Sequence, residues 1–197
     1  MADDPLRELL LERQVLHAGK YLTFHLDTVV DVDARPHRRE VIVHPGGVAM
    51  VPLLESGEVL FVRQYRHAVT EICLELPAGT LDRADDGSPE DPHSAAVREL
   101  AEETGHEAAD WRTLGNFFTA PGFATELMHL YLARGLRPLE GYGGPDPDER
   151  LELVRLTWTE ALDMAERGEI RDAKTLVALF WVDRLARRGE VPELRAS

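Results

Sequence analysis

The pattern of apolar and polar positions predicts a chain built mostly from strands. Regular alternation, or dense β-branched residues between turn formers, predicts strands over residues 23–33, 39–44, 46–54, 58–66, 71–77, 113–119, 127–133 and 151–158. The residues ESG at 55–57 predict a hairpin turn between two of these strands. Helical spacing of apolar residues is found near 159–167 and 173–188.

One further helix is predicted from the residues at its ends. Residues 82–92, with the sequence DRADDGSPEDP, are rich in turn formers and predict a loop. Asp91 suits the N-cap of a following helix, Pro92 its first position and Gly105 its C-terminal cap. A second acidic loop, rich in glycine and proline, is predicted at 140–149.

The order of these elements indicates an α+β fold. Strands and helices do not alternate regularly, which argues against a doubly wound parallel sheet. Residues 1–45 precede the predicted hairpin and are expected to form a separate small sheet, so we divide the chain into 1–45 and 46–197. A length of 197 residues suits one domain, or one domain with an appendage.

Composition narrows the classes of function. The net charge of −14 argues against a general binder of nucleic acid or membrane surfaces. The single cysteine, Cys73, excludes a disulfide framework within the chain and predicts a buried thiol in a reducing cytoplasm. The N-terminus lacks the pattern of a signal peptide, and the most apolar stretch, 175–182, is too short to cross a bilayer. We therefore expect a soluble, cytoplasmic protein.

Three glutamates share one face of the helix predicted after Asp91. Glu99, Glu102 and Glu103 are spaced i, i+3 and i+4, so their like charges repel. One explanation is a solvated surface on which Arg98 pairs with Glu102, four residues on. The other is a bound cation, because a glycine-bearing loop precedes the helix and oxygen ligands suit Mg²⁺ or Mn²⁺.

The same segment resembles the signature of the Nudix hydrolases. That signature runs Gly, five residues, Glu, seven residues, Arg-Glu, apolar, any residue, Glu-Glu, any residue, Gly, apolar. Here seven residues separate Glu90 from RELAEETG at 98–105. The opening glycine is best placed at Gly79, with ten residues between it and Glu90 instead of five, which predicts an extended loop. The final apolar position holds His106, a departure expected to affect packing only.

Flanking segments make the chain similar to bacterial ADP-ribose pyrophosphatases over residues 20–185. They are VRQYRHA at 62–68, ELPAG at 75–79, APGFATE at 120–126, LYLARGL at 130–136 and RDAKTL at 171–176. The resemblance implies an α/β/α sandwich with a mixed sheet, plus an N-terminal antiparallel sheet. It also implies Mg²⁺-dependent hydrolysis of ADP-ribose to AMP and ribose 5-phosphate, with two or three ions per site and Mn²⁺ as the alternative ion. The rival hypotheses are hydrolysis of a nucleotide sugar, NADH or a dinucleoside polyphosphate, and nucleotide binding without catalysis.

The resemblance also suggests roles for individual residues. The expected metal ligands are the Ala78 carbonyl, Glu99, Glu102 and Glu103, and the last is counted as catalytic too. The general base is predicted to be Glu149, with Glu152 as the alternative. Substrate contacts are predicted for Arg39, Arg66, Phe123 and Glu126, each against the alternative of an ordinary structural or surface role. Residues expected to hold the motif together are Gly79, Glu90, Arg98 and Gly105. A homodimer with exchanged N-terminal sheets is implied, and no nucleic acid or membrane is expected as a partner.

Overall fold

The computed structural model describes residues 4–83, 88–143 and 150–195. In these ranges the strands are β1 Leu9–Ala18, β2 Thr23–Val30, β3 Pro36–Val43, β4 Gly47–Pro52, β5 Glu58–Arg66, β6 Glu71–Glu75, β7 Ala78–Thr80, β8 His106–Phe118, β9 Leu127–Pro138 and β10 Leu151–Thr157. The α-helices are α1 Pro92–Thr104, α2 Trp158–Glu166 and α3 Ala173–Arg187, and a 3₁₀ turn spans Pro192–Arg195. No helix in these ranges is both long and apolar enough to cross a membrane.

The first of two compact units contains the residues up to Gly46 together with Phe118–Leu127. Its core element is an antiparallel sheet in the order β1-β2-β3. The apolar pattern did not predict β1, because every residue of this strand is exposed and no buried face imposes an alternation. The N-terminal domain ending at residue 45 stays a prediction, since a compact unit within a chain is not shown to fold alone.

The second unit contains Gly47–Phe117 and the residues from Met128 onward, and it has two sheets. One is a mixed sheet in the order β7-β4-β9-β8, in which β4 runs parallel to β9. The other is antiparallel, in the order β10-β5-β6. The three-residue strand β7 was not predicted, because so short a strand has no readable period.

The predicted turn at 55–57 is confirmed, but the two strands that it joins pair only briefly. The chain does reverse there: the Leu54 amide donates to the Glu58 carbonyl at 2.9 Å, and Gly57 takes a φ of 87°. Only one antiparallel bridge, between Leu53 and Val59, joins the two strands. Beyond it they enter different sheets, because β4 is buried on both faces as a central strand of the mixed sheet.

The side chains of β4 alternate between two apolar clusters. Val48 and Met50 pack with the alanines of α1, whereas Ala49 and Val51 pack with residues of α2 and α3. Successive residues of a strand point to opposite faces, so helices cover both faces of the mixed sheet. The predicted α+β class is therefore confirmed, and α1 is held directly against the sheet whose edge strand is β7.

Candidate active site

Helix α1 begins and ends where its sequence predicted. The Asp91 carboxylate accepts a hydrogen bond from the Ser94 amide at 2.9 Å, and Pro92 occupies the first turn. At the other end Gly105 takes the left-handed conformation, with a φ of 66°, and its amide donates to the Ala101 carbonyl at 3.0 Å. These caps fix which residues of α1 face the mixed sheet.

The C-terminal end of α1 carries a second constraint that the sequence did not reveal. The Tyr142 ring lies against Gly105, where an added Cβ would stand 2.5 Å from a ring carbon. The Tyr142 hydroxyl donates to the Glu102 carbonyl at 2.8 Å, and the Leu139 amide donates to the Gly105 carbonyl at 2.8 Å. Glycine is thus required at position 105 by both conformation and space.

Two of the predicted metal ligands converge on the loop at Ala78 and Gly79. The buried Glu103 carboxylate accepts a hydrogen bond from the Ala78 amide at 2.9 Å. The Glu99 carboxylate lies so close to Gly79 that a Cβ there would be 1.8 Å from its oxygen. Two carboxylates and the adjoining backbone of β7 therefore share one small region.

Arg98 contacts three carboxylates at once. Its guanidinium donates to Glu90 at 3.0 and 3.3 Å, to Glu99 at 2.8 Å and to Glu102 at 2.9 Å. These contacts, led by the hydrogen bonds to Glu90, raise the pKa of Arg98 above its ordinary value, and Arg98 lowers the pKa of Glu90. The Asp82 amide also donates to Glu90 at 3.2 Å, so this pair ties the loop before α1 to the helix.

The donor chemistry of this region suits a divalent cation. Within the described ranges, no three acidic, histidine or cysteine side chains lie close enough to hold a metal ion by themselves. Mg²⁺, however, keeps several waters and needs only one or two protein carboxylates, which Glu99 and Glu103 supply beside the backbone of Ala78. Glu102 is half exposed and engaged with Arg98. Glu149 lies outside the described residues.

Arg66 belongs to a buried ionic cluster. Its guanidinium donates through Nε and Nη2 to the two oxygens of Glu75, each at 2.8 Å. The Lys174 ammonium also contacts Glu75 and lies 3.0 Å from Asp172. Burial opposes the ionisation of Glu75, but the hydrogen bonds and charges of Arg66 and Lys174 outweigh it and lower its pKa to about 2.

This cluster lines a cavity of about 610 Å³ in the second unit. That volume lies within the range of small-molecule sites, roughly 300–1,000 Å³. The half-buried thiol of Cys73 also lines the cavity, and burial raises its pKa. The cavity thus presents one face of Arg66 to a space large enough for a nucleotide-sized ligand.

The first unit holds three of the predicted substrate-contacting residues. Arg39 forms an exposed ion pair with Glu8. Glu126 accepts a hydrogen bond from the Thr119 hydroxyl at 2.5 Å and lies 3.4 Å from His44. Phe123 is 59% exposed, so it is not a core residue.

Glu152, the alternative general base, is placed on β10. It accepts a hydrogen bond from Arg63 at 2.8 Å, directly across the pairing of β5 with β10. Both side chains are about half exposed or more. In the described part of the chain this carboxylate is engaged with Arg63 rather than with the glutamates of α1.

Sequence reasoning missed the residues that connect Arg66 to α3. Glu75 and Lys174 lie in the segments ELPAG and RDAKTL, and the sequence analysis gave neither of these two residues a role. In the structure these segments meet twice, through the Glu75–Lys174 ion pair and through the Leu76 amide, which donates to the Thr175 hydroxyl at 2.8 Å. The available signal was that an acid and a lysine stand in two of the segments that carry the resemblance.

Comparison with known proteins is consistent with this geometry. The family described as the NUDIX domain matches residues 43–179. The chain is 36% identical over 175 residues to the "Methanol dehydrogenase activator" of Bacillus methanolicus, covering 89% of this chain and 92% of that protein. It is 34% identical over 177 residues to the "ADP-ribose pyrophosphatase" of Bacillus subtilis (strain 168), covering 90% and 93%.

A solved structure shows the same fold. It is described as an "ADP compounds hydrolase" and superposes with a TM-score of 0.79, covering 96% of this chain and 100% of that one. The two sequences are 23% identical, so this likeness concerns the fold alone.

Proposed function

Because the chain belongs to the family of Nudix hydrolases, we propose that it hydrolyses the pyrophosphate bond of ADP-ribose, giving AMP and ribose 5-phosphate. The observation that carries the proposal is the convergence of Glu99 and Glu103 on the loop at Ala78 and Gly79. The choice of substrate is supported by the similarity, over nine tenths of each chain, to a relative named ADP-ribose pyrophosphatase.

The residues that would hold Mg²⁺ are Glu99, Glu103 and Glu102, with the carbonyl of Ala78. Two or three such ions, with Mn²⁺ as an alternative, supply charge screening for the pyrophosphate and activation of the attacking water. The protein's own part is to hold the ligands still. The Ala78 amide fixes one carboxylate, and Arg98 holds the other two and braces the loop through Glu90.

A carboxylate outside this cluster takes the proton of the attacking water. We propose Glu149 for this role, with Glu152 as the alternative. The test replaces each with glutamine: removal of a general base lowers kcat by about 10²–10⁴-fold, whereas loss of an exposed ion pair leaves it nearly unchanged. A full kcat in the Glu149→Gln variant, with a collapse in Glu152→Gln, reverses the assignment.

Substrate contacts are proposed for the four residues that the resemblance suggests. The free part of the Arg66 guanidinium suits a phosphate oxygen, because guanidinium groups bind phosphates through paired hydrogen bonds. Phe123 is exposed and offers a face for stacking on the base, while Arg39 and Glu126 are proposed to contact the ribose or adenine. Gly79 and Gly105 keep the space that the motif requires.

We propose a homodimer that exchanges its N-terminal sheets. The support is the exposed β1, which carries large apolar side chains over much of its length. Exposed apolar side chains in this number are typical of interfaces. Light scattering that gives the mass of two chains is expected, and a monomer at micromolar concentration contradicts the proposal. The free thiol of Cys73 supports a cytoplasmic location.

The substrate is tested with a panel of nucleoside diphosphate compounds. Wild-type protein and Mg²⁺ are incubated with ADP-ribose, a nucleotide sugar, NADH and a dinucleoside polyphosphate, and products are identified by chromatography. We expect AMP and ribose 5-phosphate from ADP-ribose at the highest kcat/KM. Faster hydrolysis of another compound overturns the substrate, and tight binding without any turnover overturns the enzyme assignment in favour of a nucleotide-binding module.

A further inference from the structure

We propose that Glu75 is a positioning residue, which holds the guanidinium of Arg66 in the orientation that meets an anionic group of the substrate. This inference rests on the proposed function only for the statement that the substrate carries a diphosphate. It concerns a residue on β6, outside the segment of α1 and its preceding loop that holds the proposed metal ligands.

The hydrogen-bond geometry fixes the plane of the guanidinium. Nε and Nη2 of Arg66 meet the two oxygens of Glu75 at equal distances of 2.8 Å, which is the side-on arrangement with the greatest geometric specificity. The Glu75 side chain is 2% exposed and the Arg66 side chain 42% exposed. The carboxylate is therefore the fixed member of the pair, and the arginine is the member that reaches solvent.

The arrangement leaves donors available on the exposed side. A guanidinium has five N–H groups, and Glu75 takes one from Nε and one from Nη2. Among the described residues no acceptor is recorded for Nη1 of Arg66. The Nη1 group and the second proton of Nη2 form one edge, which matches two oxygens of a phosphate.

The acidic groups around Arg66 favour its cationic form, and one of them is a proposed metal ligand. Its pKa is raised first by the hydrogen bonds to Glu75 and further by the charges of Glu103 and Asp172. Glu103 accepts a hydrogen bond from the amide of Ala78, and Ala78 lies three positions after Glu75 in the chain. The end of β6 and the residues just after it therefore hold both Arg66 and Glu103, so that their charges interact.

Glu75 is itself immobilised from the other side by the start of α3. The Leu76 amide donates to the fully buried Thr175 hydroxyl, which donates in turn to Asp172 at 2.6 Å. Asp172 is the N-cap of α3, and Lys174 from the first turn contacts the Glu75 carboxylate. Because the backbone next to Glu75 is fixed by this hydrogen bond, we expect a substitution of Glu75 to change the orientation of the Arg66 guanidinium.

The test compares Glu75→Gln with a matched control, Glu71→Gln. Glu71 lines the same cavity and lies opposite Arg66 in the pairing of β5 with β6, but its carboxylate pairs with Arg171. We expect Glu75→Gln to raise KM for ADP-ribose by about tenfold or more with kcat changed by less than about threefold, because a lost charged hydrogen bond to substrate is of this size. The control is expected to stay within about twofold of the wild-type KM.

A double-substitution cycle separates positioning from an independent contact. Arg66→Lys alone is expected to raise KM at least as much as Glu75→Gln, and the combined variant no more than Arg66→Lys alone, because the two residues act as one unit. Additive effects, or an unchanged KM in Glu75→Gln, overturn the proposal. If Glu75→Gln does not fold, Glu75→Asp takes its place: it keeps the charge but shortens the side chain, and the same rise in KM is expected.

A spectroscopic measurement makes the result independent of the substrate. In ¹⁵N-labelled protein the Nε–H signal of Arg66, assigned by its loss in Arg66→Lys, is expected to exchange slowly in wild type and Glu71→Gln and rapidly in Glu75→Gln. Slow exchange that persists in Glu75→Gln overturns the positioning role. If wild type does not hydrolyse ADP-ribose, the proposed function fails, and the cycle is measured with the compound of the panel that is hydrolysed fastest.

Discussion

Substitution of Gly79 by alanine tests whether the loop at β7 sets the position of Glu99, a proposed metal ligand. An alanine Cβ would stand 1.8 Å from the nearer oxygen of Glu99 and 1.9 Å from its carboxyl carbon. Because Gly79 does not have a left-handed φ, its backbone suits alanine and the whole effect comes from this collision.

The size of the effect follows from the overlap. Contacts of a Cβ below 3.0 Å are essentially never seen, so the Glu99 carboxylate must retreat by about 1.2 Å or the loop must move away from α1. Overpacking of a close contact costs about 1–3 kcal/mol in the free energy of unfolding. A displacement of about 1 Å in a group that positions reactants lowers kcat by about 10²-fold, which corresponds to about 2.7 kcal/mol.

The assay measures kcat at saturating substrate and Mg²⁺, and the free energy of unfolding by urea. Gly122→Ala is the matched control, because a Cβ at Gly122 meets nothing within 4 Å. In a Glu99→Ala background the collision is absent, so Gly79→Ala should then cost almost no stability. An equal cost in both backgrounds, or full activity of Gly79→Ala, would refute the reasoning.

Three further predictions use the same two measurements. Glu103→Gln should lower kcat by about 10²-fold or more. It should still fold normally, because the glutamine amide oxygen can accept the hydrogen bond from the Ala78 amide. Glu102→Gln, at a half-exposed position, should lower kcat by less than about tenfold. Thr175→Val should cost about 1–3 kcal/mol of stability, since the Leu76 amide loses its buried acceptor. The Glu75 pKa of about 2 lies below its ordinary value of 4.5, so the unfolded chain binds more protons between these values. Its stabilisation is complete above about pH 4.5 and is lost as the pH falls towards 2, and Glu75→Gln should flatten this part of the profile. Unfolding free energies of wild type that do not fall over that interval, or fall equally in Glu75→Gln, contradict the assignment.

The parts of the fold that the sequence predicted are those in which local chemistry decides the structure. The ends of α1 follow from the residues Asp91, Pro92 and Gly105, each of which favours one backbone conformation. Helices α2 and α3 follow from apolar spacing, because each buries one face. The α+β class followed from the order of these elements.

The parts that it missed depend on contacts between distant residues. Strand β1 has no buried face, so no alternation marks it, and only its pairing with β2 makes it a strand. The pairing of β4 with β9 instead of β5 reflects the burial of both faces of β4. Likewise, the contact between Glu75 and Lys174 joins residues that lie 99 positions apart, and neither segment alone predicts it.

Two features bear on the repulsion between the glutamates of α1: the contacts of Arg98 and the placement of Glu103. Glu102 and Glu99 each accept a hydrogen bond from Arg98, which also binds Glu90, so the ion-pair explanation accounts for that side of the helix. Glu103 accepts a hydrogen bond from the Ala78 amide, which fixes its position beside the loop. The negative charge of Glu103 acts on Arg66, whose pKa it helps to raise, and the divalent cation that we propose between Glu99 and Glu103 would screen the repulsion further. Arg98 therefore accounts for Glu102, the proposed cation for Glu103, and Glu99 takes part in both explanations.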